Sequence, residues 1–471
     1  TLSPSSAASD VYKRQPIHYA VASLLAGAAA SAASPKKACG PITLAANVVA
    51  LVFNVTAVTG GYSPLVFGMP VASGPLSRVS LILVSVLTTL CAAYSVFKVG
   101  GDDPHVRSYY VLYNVLAASL SLTVVVRNLL MLYVLLEVVT FTAVPLIAHR
   151  RDPEALEASM KYLFVCVSCS ALSLLGFGVL LSRVHTLDLL TLGQAITEVG
   201  FNPLEAKLCL YAMLVGFGVK VGMVGLHFFI VDAYGEAPSP IAPLVHVVGN
   251  YAVIRVLTAL NPLMLPRDQL IVMFVGILTI YVGALLTLSS RDVRRMVACI
   301  AVEGSGFIIL SSSLGTTYAT AAASLCLVNF GLIETALFLS AGIVHLETGV
   351  RKIEEVRGIF KSMPVTTWLF IASALAISGV PPFGGFIAEV SVYTACLRAG
   401  SLWASLAAAA GSGILLTSVV WAAHRMFFGA RGGAGEFKDP KALIVPVVIL
   451  FILYTLLGLY PTPLLRLFGG V

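Results

Sequence analysis

Long apolar runs separated by short charged loops dominate this chain, and most runs match the thickness of a lipid bilayer. A helix rises about 1.5 Å per residue and the hydrocarbon core is about 30 Å thick, so roughly 20 apolar residues make one crossing. By that rule the spans fall near 17–33, 41–59, 78–98, 108–126, 128–148, 160–182, 206–230, 241–260, 268–289, 293–313, 317–345, 365–394, 402–424 and 441–462. The pattern predicts an all-α integral membrane protein with about fourteen crossings.

Loop charges refine that picture. Basic residues cluster in the loops and helix ends that follow odd-numbered spans, among them Lys36, Lys98, Arg150, Arg294, Arg351 and Lys441. They heavily outnumber those on the other side, such as Arg127, Arg183 and Arg267. The positive-inside rule then puts the odd loops in the cytoplasm and both termini outside a cytoplasmic (inner) membrane. One missed or invented span would scramble this alternation. It also predicts that the 346–363 and 183–205 loops face opposite sides.

Composition agrees. Hydrophobic residues make up 58% of the 471 residues and charged residues 11%, too little polar surface to coat a soluble body of this size. The net charge of +7 is explained by membrane topology and calls for no nucleic acid partner. Cys166 and Cys169 have CxxC spacing but apolar neighbours and no second ligand pair, so helix packing is expected and no metal or cofactor. Residues 1–15 are polar and unpatterned, an expected non-native or disordered stretch outside the fold. The Gly-rich segment Gly432–Gly435 reads as a flexible turn.

A charge near the bilayer centre is costly, so an ionisable residue there is a functional candidate by default. Glu137 sits midway along the fifth span, where within a helical turn only Tyr133 and Thr140 are polar, so a charged partner must come from another helix. Lys220 lies in the seventh span among Gly216, Gly218, Gly222 and Gly225, which suit close packing or a local break. Burial disfavours a charged amine and a nearby carboxylate favours it, so Glu137 and Lys220 are a natural pair. In the twelfth span Pro381 and Pro382 interrupt the helix and Gly384 and Gly385 let it unwind, just before Glu389. Interrupted helices at corresponding places in two repeats point to a transport site. Glu303 and Glu334 also lie in apolar helices. Among histidines, His246 is deepest and suited to relay protons. His345 ends the eleventh span, and His227, seven residues past Lys220, is expected on the same helix face two turns away.

These residues, in this order, resemble the antiporter-like family shared by respiratory complex I, membrane-bound hydrogenases, formate hydrogenlyase and multisubunit cation/proton antiporters. The likeness covers roughly residues 75 to 425. NLLMLYVLLEVVTFTAVPLIA resembles the family's fifth helix, with Glu137 at its glutamate. GVKVGMVGLHFFIVDAYGEAPSPI resembles its K-x6-H-x4-D segment followed by A-P-x-P, carried here by Lys220, His227, Asp232, Ala237, Pro238 and Pro240. RDVRRMVACIAVEGSGFI resembles the tenth helix, and SGVPPFGGFIAE the broken twelfth.

The resemblance implies two inverted five-helix repeats, helices 4–8 (108–260) and 9–13 (261–424), with helices 7 and 12 broken. Residues 16–107 then hold helices 1–3, and 425–471 a loop and helix 14. It also implies a string of buried charges joining two half-channels, no redox centre in the chain, and partners among the other membrane subunits of such an assembly. Two departures stand out. Where many relatives carry a central lysine in the eighth helix, this chain offers His246. Where the eleventh commonly reads N-H-x3-K, it has Asn329, Phe330 and Glu334.

The leading expectation is a proton-translocating membrane subunit of a complex I-like or hydrogenase-like oxidoreductase. Its proton-carrying residues are Glu137, Lys220, His246, Glu389, Glu303 and Glu334, supported by His227, Asp232 and His345. The alternative is a subunit of a multisubunit Na+(cation)/H+ antiporter, and a third possibility is a scaffold that has kept the fold without pumping.

Overall fold

The computed structural model describes residues 16–60, 65–100, 103–356, 358–428 and 437–469. Residues 1–15 and the turn at Gly432–Gly435 lie outside the described residues. The described residues are helical almost throughout. It opens with α1 (Pro16–Ala33) and α2 (Lys36–Gly60), then a two-residue hairpin, β1 (Leu65–Val66) against β2 (Met69–Pro70). Next come α3 (Pro75–Lys98), α4 (Val106–Thr123), α5 (Leu129–Ile147), α6 (Pro153–Ala171), α7 (Ser173–Val184) and the short α8 (Leu192–Val199). The middle comprises α9 (Pro203–Gly218), α10 (Phe228–Glu236), α11 (Ile241–Leu260), α12 (Pro266–Ser289), α13 (Val293–Ser313) and α14 (Thr317–Thr348). The chain finishes with α15 (Pro364–Ile377), α16 (Gly384–Arg398), α17 (Leu402–Phe427), α18 (Lys441–Leu459) and α19 (Thr462–Leu467).

Among the described residues, eleven helical segments are long and apolar enough to cross a membrane. The other three expected spans fall on the 18-residue α4 and on two broken pairs, α9–α10 and α15–α16. The sixth span starts earlier than the apolar run suggests. Asp152 accepts from the Ala155 amide at 2.8 Å and Pro153 occupies the first helical position, so the helix begins before the charged residues end.

Several starts are capped the same way, with Asn128, Asn202, Asp292 and Thr316 each accepting from backbone amides of the first turn. Breaks and stops fall on glycines that the chain requires in left-handed geometry. Gly222 (φ 71°) and Gly225 (φ 86°) interrupt the seventh span, and Gly349 (φ 68°) ends α14.

α13 and α14 form the centre. The apolar windows of both are wholly buried, whereas those of α1, α2 and α18 leave most of their residues outward. Small residues let α12 and α13 touch backbone to backbone. A Cβ on Gly283 would sit 2.5 Å from the Glu303 amide nitrogen, and one on Gly306 2.6 Å from that of Ile280.

The loops sort into two faces. Loops after odd-numbered spans meet one another: Glu236 pairs with Arg150 at 2.6 Å and with Arg351 at 2.8 Å, and Ile353 donates to the Arg291 carbonyl at 2.8 Å. Loops after even-numbered spans also meet, with Arg127 on Asp188 at 2.6 Å and the Leu129 amide on Leu187 at 2.8 Å. Burial pulls the Asp188 carboxyl upward, but bonds from Arg127 and the Leu190 amide outweigh it and leave it below the ordinary aspartate value.

Candidate functional site

Lys220 stands in the gap of a broken helix. α9 ends at Gly218, Val219–Val221 make one 3-10 turn, and α10 starts only at Phe228. The turn aims the side chain inward, where its Nζ meets Glu137 Oε1 at 2.8 Å and Thr140 Oγ1 at 2.7 Å. Glu137 and Thr140 lie three residues apart on one face of α5. The lysine side chain is 6% exposed and the carboxylate 15%, so the pair is nearly dry.

From this turn the structure leads to α11. A Cβ on Gly249 would sit 3.0 Å from the Lys220 carbonyl oxygen, so the two backbones touch one helical turn from His246. His246 is fully buried. Its Nδ1 lies 2.8 Å from Glu334 Oε2 on α14, its Nε2 lies 2.9 Å from Ser305 Oγ on α13, and Asn250 approaches the ring at 3.4 Å. Three helices thus converge on one imidazole.

Glu334 leads on to Glu303. A Cβ on Gly304 would come 3.0 Å from Glu334 Oε1, so α13 passes close over that carboxyl. Glu303, the preceding residue, is fully buried, and neither oxygen has a hydrogen-bond partner among the described residues. An ionised carboxylate in such surroundings costs several kcal/mol. Four residues along α13, the Phe307 ring lies 6.2 Å from the Tyr393 ring. Tyr393 donates to Glu389 Oε2 at 2.6 Å and Ser412 of α17 donates to the same oxygen at 2.7 Å.

Glu389 sits just past the second break, in which Gly379 takes φ 69° and α16 starts at Gly384. A Cβ on Gly385 would lie 1.8 Å from the Ala376 carbonyl oxygen, so only glycine lets the two half-helices approach this closely.

The structure therefore brings Glu137 to Lys220 and His246 to Glu334, and sets Glu303 between that second pair and Glu389. It does not bring in the three supporting residues. His227 is corrected outright: the break separates it from Lys220, so the two do not share a helix face, and its Nδ1 has no partner among the described residues. Asp232 sits at the odd-loop face with Arg295 at 3.3 Å and Lys161 at 3.7 Å. His345 lies at the same face, 3.4 Å from the Val350 carbonyl.

Sequence reasoning passed over Ser305, Asn250, Tyr393 and Ser412. Asn250 and Tyr393 were within reach, because each follows its partner by four residues on one helix. Ser305 and Ser412 come from other helices and carry no local signal.

A family model described as NADH:quinone oxidoreductase/Mrp antiporter, transmembrane, matches residues 126–415. The NADH-quinone oxidoreductase subunit N of Desulforudis audaxviator is 28% identical, with 84% of this chain aligned to 83% of that one. The hydrogenase-4 component F homolog of Methylacidiphilum infernorum is 27% identical over 77% of this chain and 78% of its own. In fold, the chain matches a subunit of an archaeal respiratory membrane complex, the membrane-bound sulfane sulfur reductase. The TM-score is 0.84 with 24% identity, over 96% of each chain.

Proposed function

The chain belongs to the NADH:quinone oxidoreductase/Mrp antiporter transmembrane family, and from that premise we propose that it moves protons, as one membrane subunit of a complex I-like or hydrogenase-type oxidoreductase, along the buried row from Glu137 to Glu389. The observation that carries this reading is the row itself. Ionisable side chains follow one another through the interior, and two of them, Lys220 and Glu389, stand at breaks in the seventh and twelfth spans. Fourteen crossings, two inverted repeats and outward termini in an inner membrane complete the proposal, supported by the loop charges and the way loops gather on two faces.

The chemistry follows from the pairs. At an effective dielectric of about 20, a Lys–Glu contact at 4 Å contributes roughly 4 kcal/mol before desolvation. Closing Glu137 on Lys220 pairs the ammonium, and drawing it away leaves an unpaired buried charge that the protein must neutralise or move on. His246 is the next base, reached across the Lys220–Gly249 contact, and Glu334 stabilises the imidazolium that forms. Glu303 and Glu389 then hold the proton, with Tyr393 and Ser412 keeping one Glu389 oxygen in place.

Proton uptake by vesicles carrying the assembled complex tests this. Glu137→Gln and Lys220→Ala should each remove most redox-driven uptake while the complex still runs intact on native gels. Normal uptake in either variant would overturn the assignment.

A further inference from the structure

A second cluster of charge lies away from the buried row. At the odd-loop face a cavity of about 580 Å³ opens between the ends of α3, α5, α13 and α14. Lys98, His149, Arg150, Arg294 and His345 line it, and Asp103 is the one acidic residue in its described lining. Asp103 is already engaged, 2.9 Å from His149 Nε2. Arg150 is engaged as well, with Glu236 at 2.6 Å and Asp152 at 2.7 Å.

Two cations remain. Among the described residues neither Lys98 nor Arg294 has a carboxylate within salt-bridge distance. Lys98 Nζ donates to Ser239 Oγ at 3.2 Å, and Arg294 donates to the Ala237 carbonyl. Arg294 is 3% exposed. A guanidinium taken this far from water without a directly paired carboxylate is costly, and Glu236 and Asp292 act on it only through space. Both cations line the same cavity, and each carries N–H donors beyond that one bond.

We infer that this cavity is a binding site for a phosphate-type oxyanion, held by Lys98 and the Arg294 guanidinium. Charge and shape both favour that class. The cavity is roomy and strongly basic, arginine suits tetrahedral oxyanions through paired N–H donors, and Ser239 adds a hydroxyl next to Lys98. Its place at the ends of spans is where the phosphate of an anionic lipid lies, and basic pockets between transmembrane helices hold such head groups. A soluble phosphate offers the same chemistry. The site is separate from the proton row and stands whether or not the chain pumps.

The test uses the full chain in its membrane complex, in two arms. In the first, nanodiscs of phosphatidylcholine with a minor share of phosphatidylglycerol are exchanged into detergent, and native mass spectrometry counts the phosphatidylglycerol retained. In the second, radiolabelled inorganic phosphate is titrated onto the complex in phosphatidylcholine nanodiscs alone. Binding in either arm should weaken at least tenfold in Lys98→Met and persist in Lys98→Arg. Arg294→Gln should act as Lys98→Met does, and Lys98→Met covers the case in which the buried arginine is needed for folding. Retention only in the lipid arm assigns the site to a head group, and binding only in the phosphate arm assigns it to a soluble anion. Absence of binding that depends on Lys98 in both arms overturns the inference.

Discussion

The first and second halves of the buried row solve the same problem differently. In the first, a lysine and a glutamate balance each other, with Thr140 filling out the lysine's donors. In the second, Glu334 meets the imidazole of His246, Glu303 has no hydrogen-bond partner and Glu389 accepts from Tyr393 and Ser412, and among the described residues no lysine or arginine forms an ion pair with any of the three. Three buried carboxylates cannot all be ionised beside one base, because each unpaired charge costs several kcal/mol. The first half thus sets opposite charges against each other, and the second sets its carboxyls among hydroxyls and one imidazole. A relay built on buried ammonium groups needs an anion at each step, whereas one built on acids and histidine can store protons as neutral groups.

The largest expected effect separates these two kinds of balance. Lys220→Ala leaves Glu137 without its cation, and removing one partner of a buried pair costs about 3–5 kcal/mol. Lys220→Met combined with Glu137→Gln should recover most of that loss in thermal denaturation while proton uptake stays absent. If the double variant lost the sum of the two single effects, the first half would not be a charge-balanced pair.

His246 tests the second half. His246→Gln should lose most proton uptake, while His246→Lys retains part, because Glu334 accepts either cation. Uptake by vesicles carrying the assembled complex is the readout. Wild-type uptake in His246→Gln would make this a packing histidine and end the relay there.

A smaller effect belongs to Tyr393→Phe, which removes one of two hydroxyls on Glu389 Oε2. Uptake should slow by about tenfold, the kinetic equivalent of about 1.4 kcal/mol, while Ser412 keeps the carboxyl in place. An unchanged rate would show that Glu389 is not positioned by this contact.

The smallest effect on stability is expected from Glu303→Gln. An amide in place of a neutral acid keeps the shape and adds no charge, so the thermal midpoint should move by no more than about 1 kcal/mol allows. A loss of several kcal/mol would mean that Glu303 is ionised, and the contrast between the two halves would fail.

How legible was this protein before folding? The spans were readable nearly to the residue where apolar runs end in capping residues, as at Asp292 before α13 and Thr316 before α14. The broken helices were readable too, since Gly222 and the Pro381–Gly385 run carry their backbone preferences in their own chemistry. His227 misled, because seven residues of helical spacing mean nothing across a break. The Glu236–Arg150–Arg351 cluster and the basic cavity around Lys98 and Arg294 left no local trace. Their members look like ordinary loop charges until the loops meet.

Whether a stretch can sit in lipid is decided by its own twenty or so residues, because every backbone group there must bond within its own helix and every charge costs energy where it stands. The sequence alone therefore determined that the chain lives in a membrane, where its helices run, and which residues are expensive enough to demand a reason. Partners are a different matter. Lys220 finds Glu137 from 83 residues away and His246 finds Glu334 from 88. Which face each helix turns inward depends on small residues such as Gly249, Gly283 and Gly306 allowing backbones to touch. The Glu137–Lys220 pair was expected from the two charges; only the tertiary structure could decide that His246 meets Glu334 and Ser305 and that Glu303 is left without a partner among the described residues, since pairing across helices is set by packing and not by any local pattern.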